Sequence, residues 1–229
     1  MYFLYSLFYV LALIFIFPFE YFKRPRDIRR RWIKEKFGLL PLSGIDHDSP
    51  SIWVHAVSVG EVTASLPLLK KLRTAYPRHI VILSTITDTG QSVARERAPE
   101  GVRIVYLPFD IPFVLKSAIR RARPRILIII ETELWPNLLR VFRENSTPVI
   151  LLNGRISEHA FHGYRKISFF MRRVLSSFSS FGMQDETYAE RLSTLGAERS
   201  KIEIIGSFKF DADPPAQTPL WALPIGKPI

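Results

Sequence analysis

The chain has 229 residues, 47% of them hydrophobic, which suits one good-sized α/β domain plus an appendage and argues against disorder. It contains no cysteine, so disulfides, thiolate zinc sites and cysteine nucleophiles are excluded within it. A formal net charge of +11 admits a nucleic acid, an anionic membrane surface or a phosphorylated ligand as partner, and the distribution of that charge discriminates among them.

Met1 to Phe19 carries no charged residue and is rich in Phe, Leu, Ile and Tyr. A membrane-spanning helix takes about 20 apolar residues, so this run qualifies. It lacks the basic start and small-residue cleavage site of a signal peptide. Lys23, Arg24, Arg26, Arg29, Arg30, Arg31, Lys34 and Lys36 crowd its C-terminal side. The positive-inside rule therefore places the folded domain on the cytoplasmic side. Basic residues beside an anionic leaflet contribute about 1 kcal/mol each, which moves the expected partner from nucleic acid to membrane lipids. The expectation is a membrane-anchor helix over 1–22, single-pass or monotopic, followed by a basic juxtamembrane segment over 23–50. The density of Tyr2, Phe3, Tyr5, Phe8 and Tyr9 also suits a helix docked on the protein's own surface.

From Ser51 onward short apolar runs alternate with amphipathic stretches. Strands are predicted at Ile52–Val57, Ile80–Thr85, Arg103–Leu107, Ile126–Ile130, Val149–Asn153, Phe181–Gln184 and Ile202–Ile205, with helical spacing between them. The run from Ile126 to Ile130 is apolar without alternation, as a parallel strand buried on both faces should be. The prediction is an α/β domain with a doubly wound, parallel Rossmann-like sheet.

Such sheets bind ligands at the carboxyl ends of their strands. The residues just past each predicted strand include Ser58, Gly60 and Glu61; Thr85, Thr87, Asp88, Thr89 and Gly90; Asp110; Glu131 and Glu133; and Asn153 and Arg155. Small hydroxylated residues, carboxylates and an arginine suit a polyol or phosphosugar better than an apolar ligand. There is neither G-x-G-x-x-G nor G-x-x-x-x-G-K-[ST], so a nucleotide held by either loop is unsupported, and a nucleotide enzyme of another class is correspondingly weakened. No His/Asp/Glu group has metal spacing, so no metal or cofactor is expected; His159 and His162 read as solvated polar residues.

Glu61 follows Gly60 at a strand-to-helix turn, where the helix N-terminus stabilises its anion. That pattern serves equally a capping acid and a base. Pro67 would break a helix interior at a cost of about 3 kcal/mol, so the helix is expected to start near Pro67 or kink there, leaving Glu61 in a looser first turn. Glu131 and Glu133 flank Thr132 just before Trp135-Pro136-Asn137, which fits a helix start. One of these acids can cap while the other faces a cleft. Arg155 suits bidentate recognition of phosphate or carboxylate. The basic amphipathic stretch Arg165–Ser177 fits either a helix packed on the sheet or a membrane-facing surface.

Six stretches in order carry a family resemblance. They are Trp53-Val54-His55-Ala56-Val57-Ser58-Val59-Gly60-Glu61-Val62; Thr85-Ile86-Thr87-Asp88-Thr89-Gly90; Leu107-Pro108-Phe109-Asp110; Glu131-Thr132-Glu133-Leu134-Trp135-Pro136-Asn137; Asn153-Gly154-Arg155-Ile156-Ser157; and Gly206-Ser207-Phe208-Lys209-Phe210-Asp211. Together they resemble the 3-deoxy-D-manno-octulosonic acid (Kdo) transferases of lipopolysaccharide synthesis, from about Arg29 to Asp211. The resemblance implies a membrane-associated, inverting glycosyltransferase of the two-domain GT-B architecture, moving Kdo from CMP-Kdo to the lipid A precursor lipid IVA at the cytoplasmic side of the inner membrane. It implies that Glu61 is the general base and that an acid of the E-T-E-L-W-P motif is essential, Glu131 being preferred over Glu133. Ser58, Gly60, Thr85, Thr87, Thr89, Glu133 and Arg155 are then the expected acceptor contacts.

The departures are Gly154 where a small residue such as Ala is usual, Asp88 where Pro is usual, and Ser207-Phe208 for the usual Asn-Leu. Family members also carry a second, donor-binding domain. Here residues 51–211 are expected to form the acceptor-binding domain and 212–229 a linker-like tail, so the donor half is expected to be missing. The competing expectation is a non-catalytic, membrane-bound module that binds lipid A or phospholipid.

Overall fold

The structure, a computed structural model, describes residues 1–42 and 49–208. The second half of the Gly206–Asp211 stretch and the tail over 212–229 lie outside the described residues.

Seven strands follow in chain order: β1 (Ser51–His55), β2 (Ile80–Thr85), β3 (Arg103–Tyr106), β4 (Pro124–Ile130), β5 (Val149–Gly154), β6 (Ser180–Met183) and β7 (Ile202–Ile204). Two helices precede them, α1 (Tyr2–Lys23) and α2 (Arg26–Lys36). The crossovers are α3 (Val59–Ala75), α4 (Asp88–Arg97), α5 (Pro112–Ala122), α6 (Pro136–Glu144), the pair α7 (Glu158–Arg165) and α8 (Ser168–Leu175), and α9 (Glu186–Thr194). Every strand pair is parallel, in the order β3-β2-β1-β4-β5-β6-β7. The seven expected strands are all present, with ends that differ by at most two residues.

The alternation of strand side chains divides the core. Trp53, Ile82, Leu127 and Ile129 point into one apolar cluster, while Ile52, Val54, Val81, Leu83, Ile128 and Ile130 point into the cluster on the opposite face. Both faces are covered, which is why these strands read as unbroken apolar runs. The order also fixes a topological switch. The chain steps outward from β1 through β2 to β3, then returns to β4 on the other side of β1. The crevice past the carboxyl ends of β1 and β4 is where a sheet of this kind holds its ligand.

One local expectation needed correction. Helix α3 starts at Val59 and runs through Pro67, so the first turn is neither delayed nor loose. Pro67 forfeits one helix hydrogen bond and its ring crowds the carbonyl of Thr63, and the tertiary packing of Val62, Ser65 and Leu69 holds the helix across that position. The basic segment is partly buried. Arg24 and Lys36 are buried, as are Trp32 and Glu35; the Glu35 carboxylate accepts from the Tyr106 backbone N–H at 2.7 Å and pairs with Arg31.

Helix α1 is long and apolar enough to cross a membrane by length and composition. One of its faces nevertheless lies on the domain. Tyr2, Tyr5, Tyr9, Leu13, Phe17 and Tyr21, spaced at three and four residues, pack against the core clusters. The Tyr5 hydroxyl donates to Asp110 at 2.8 Å, the Tyr9 hydroxyl accepts from the Asp110 backbone N–H at 3.2 Å, and Ser6 exchanges hydrogen bonds with Asn137. The opposite face, with Phe3, Leu4, Leu7, Phe8, Leu11, Ile14, Phe15 and Phe19, is exposed.

Candidate active site

The loops after β1 and β4 meet at the switch point. After β1, the segment Ser58-Val59-Gly60-Glu61 forms a capping box, in which a hydroxyl and an acid three residues apart satisfy the free N–H groups of a helix start. The Ser58 Oγ accepts from the Glu61 N–H at 3.3 Å and donates to Glu61 Oε1 at 2.8 Å. Glu61 Oε2 accepts from the Val57 N–H at 2.7 Å. The carboxylate is therefore fixed in direction, and at 7% exposure it is largely withdrawn from water. Burial raises its pKa, overriding the hydrogen bonds from Val57 and Ser58, and Glu131 raises it further. Two of its lone-pair directions remain unused. Glu61 is thus a cap by geometry and also a more basic carboxylate than an ordinary one.

After β4, Glu131 adopts φ = +60°, a left-handed conformation that costs a residue with a Cβ about 1–2 kcal/mol. Its Oε2 accepts a hydrogen bond from Arg155 Nε at 2.9 Å and lies 2.9 Å from Arg155 Nη2 in the same ion pair. Thr132 joins the same two loops: its Oγ1 accepts from the Arg155 N–H at 3.1 Å and donates to the Arg155 carbonyl. Glu131 is therefore a paired acid in a strained turn. Glu133 differs. Burial pushes its pKa up to about 7, and the negative charges of Glu61 and Glu131 push in the same direction. Tyr164 of α7 feels Glu133 in turn, its own pKa being raised by burial and then by that charge.

The remaining expected contacts divide. Thr87 is the N-cap of α4, accepting from the Gly90 N–H at 3.1 Å and donating to the Val57 carbonyl at 3.0 Å, which ties the β2 loop to the β1 loop. Gly90 is needed there: a Cβ would sit 2.8 Å from the Val57 carbonyl oxygen. Gly60 and Thr89 are exposed. Thr85 is fully buried, its hydroxyl donating to Gln91 at 2.6 Å, so it lies beneath the edge and holds the α4 turn rather than facing a ligand. Among the described residues no group of His and acidic side chains could hold a metal ion.

Asp110 is the member of the Leu-Pro-Phe-Asp stretch that sequence reasoning left without a role. It is buried and accepts from the backbone N–H groups of Asn137 and Leu138 at 3.1 and 2.6 Å, capping α6 from another loop. Because α6 follows directly on the Glu131–Trp135 loop, Asp110 links the seat of α1 to the position of the acids. No local spacing signals this, since the cap comes from 27 residues upstream.

Residues 31–212 match the family described as 3-deoxy-D-manno-octulosonic-acid transferase (kdotransferase). A 3-deoxy-D-manno-octulosonic acid transferase of Haemophilus influenzae is 36% identical over 160 residues, covering 70% of this chain and 38% of the relative. A bifunctional glycosyltransferase/methyltransferase of Fusobacterium nucleatum is 33% identical over 209 residues, covering 90% of this chain and 31% of the relative. The chain thus spans about a third to two-fifths of the length of these curated relatives. Among solved structures, UDP-GlcNAc 2-epimerase from Neisseria meningitidis superposes with a TM-score of 0.52 at 9% identity, over 71% of this chain and 48% of that one. The Staphylococcus aureus MnaA–UDP structure gives 0.53 at 14%, over 71% and 46%. Those likenesses are of fold alone.

Proposed function

The chain belongs to the 3-deoxy-D-manno-octulosonic acid transferase family, and from that premise we propose that it forms the acceptor-binding half of an inverting glycosyltransferase of lipopolysaccharide synthesis. The donor in this proposal is CMP-Kdo and the acceptor lipid IVA. Residues 51–211 form the acceptor domain, residues 212–229 a linker and helix α1 the anchor, at the cytoplasmic face of the inner membrane. The observation that carries the proposal is the convergence of Glu61, Glu131 and Glu133 on the switch point between β1 and β4.

A sugar hydroxyl is a weak nucleophile and needs a base within hydrogen-bond reach. In the proposed step Glu61 takes the acceptor's hydroxyl proton as the oxygen bonds to the anomeric carbon of Kdo. The bond from that carbon to the phosphate of CMP breaks, and CMP leaves with the electron pair. A carboxylate whose basicity is raised by burial, and whose direction is set by Ser58 and Val57, suits this role. Glu131 with Arg155, and Glu133 beside them, line the acceptor's path. Ser58, Gly60, Thr87 and Thr89 complete the rim, and the donor is held chiefly by a second domain.

One observation favours a second reading, a lipid-binding module without catalysis: both oxygens of Glu61 already serve the helix cap. A single experiment separates the two. The chain is incubated with CMP-Kdo and lipid IVA, with and without the C-terminal half of the Haemophilus influenzae relative. Under the proposal, Kdo-lipid product forms only with that half present and is reduced at least about 10²-fold by Glu61→Gln. Lipid binding that survives Glu61→Gln, with no product under either condition, would establish the second reading instead.

A further inference from the structure

Between α1 and the loop after β3 the structure encloses a cavity of about 190 Å³. Leu13, Ile16 and Phe17 form one wall and Leu107, Pro108 and Phe109 the other. None of the three acids lines it. Its volume matches about six waters, yet most of its surroundings are hydrocarbon.

The charged groups in its lining are Glu20 and Arg24, which pair with each other, and Lys36, which is only 7% exposed. Its ammonium stands 5.3 Å from the Phe109 ring and has no ion pair or hydrogen bond among the described residues. Arg24 is held by Glu20 and Asp88 at 2.9 and 3.0 Å, and Arg31 by Glu35, so the nearby carboxylates are already engaged. Burial lowers the Lys36 pKa to about 8, with Arg24 adding to the effect and the more distant charges of Glu20, Asp88 and Glu35 offsetting only part of it. A cation held out of water with no counter-charge in contact is costly, and a ligand that brings an anion relieves that cost. The wall contributed by α1 leads to Phe15, Ile16 and Phe19 on its exposed apolar face.

We propose that this cavity binds a phospholipid with an anionic headgroup, its phosphate against the Lys36 ammonium and the start of its acyl chain between Phe17 and Leu107. The inference is independent of the transferase reading and requires only that α1 lie at a membrane. A second lipid contact of this kind would fasten α1 to the domain from the bilayer side.

The test uses the 229-residue chain in neutral maltoside micelles, titrated calorimetrically with dihexanoyl phosphatidylglycerol. Dihexanoyl phosphatidylcholine and inorganic phosphate serve as separate arms. Phosphatidylglycerol binds one to one and at least about ten-fold more tightly than either comparison. Lys36→Met removes that preference and Lys36→Arg retains it. Lys34→Met, which makes the same change in net charge at an exposed site, leaves it intact. Leu13→Trp fills the cavity with Lys36 in place and abolishes binding. Equal affinity for the two lipids, or unchanged binding in Lys36→Met, would overturn the proposal. Inorganic phosphate binding as tightly as phosphatidylglycerol would overturn the lipid assignment.

Discussion

Replacing Glu133 by glutamine should stabilise the chain at alkaline pH and leave its stability unchanged in acid. Burial, then the charges of Glu61 and Glu131, raise the Glu133 pKa from 4.5 to about 7. Between those values the folded chain holds a proton that the unfolded chain has released, so stability falls as pH rises through that window and the penalty is complete above pH 7. At about 1.36 kcal/mol per pH unit the penalty is bounded at about 3 kcal/mol. Partial contact with water screens it, which brings the expected gain from Glu133→Gln to about 1–2 kcal/mol. Urea denaturation at pH 4.5 and pH 8 would measure it as a shift in midpoint at constant slope. A Glu61→Gln background should shrink the gain, because one of the repelling charges is then absent. An equal effect of Glu133→Gln at both pH values, or a gain untouched by Glu61→Gln, would refute the clustering of acids on which the proposed site rests.

Asp110→Ala should cost about 2–4 kcal/mol, because it removes the cap on Asn137 and Leu138 together with the bond from Tyr5. Tyr5→Phe removes one of those bonds and should cost about 1–2 kcal/mol, and urea midpoints of the two single variants and the double variant would show whether they share that bond. The glycines of the two loops should respond with opposite sign. Gly90→Ala places a methyl 2.8 Å from the Val57 carbonyl oxygen and should cost about 1–3 kcal/mol. Gly60→Ala, whose nearest neighbour would be 3.9 Å away at an exposed helical position, should gain about 0.4–1 kcal/mol by thermal unfolding. Arg155→Ala should change stability by less than about 1 kcal/mol, since its pair with Glu131 is half exposed, so a large loss of acceptor binding in that variant would report contact with the ligand.

Much of this protein is legible residue by residue. The seven strands are local runs such as Ile126–Ile130, whose lack of alternation already says that both faces are covered. The capping pair of Ser58 and Glu61 is written at a spacing of three, and the family motifs lie in order along the chain. These signals survive because hydrophobic periodicity and helix capping involve groups only a few residues apart. The order of the strands is a different matter. Nothing near Glu61 announces that β4 will lie beside β1, yet that adjacency is what sets Glu131 and Glu133 against it, so that burial and then neighbouring negative charge raise the proton affinity of Glu61 and Glu133.

The same limit governs single side chains. Lys36 looks like one more member of a basic juxtamembrane run, and Asp110 like a loop acid. Folding buries the first with no carboxylate in contact and makes the second the bridge between α1 and α6. Thr85 looks like a rim hydroxyl, and the register of β2 turns it inward onto Gln91. Composition decided that helix α1 is apolar enough for a membrane, and packing decided that its tyrosine face belongs to the domain. Burial and electrostatic coupling depend on which distant segments share a neighbourhood, and chain closure alone determines that. The sequence by itself therefore determined the elements, their caps and their family, and the tertiary structure decided which charges meet and which are left without water.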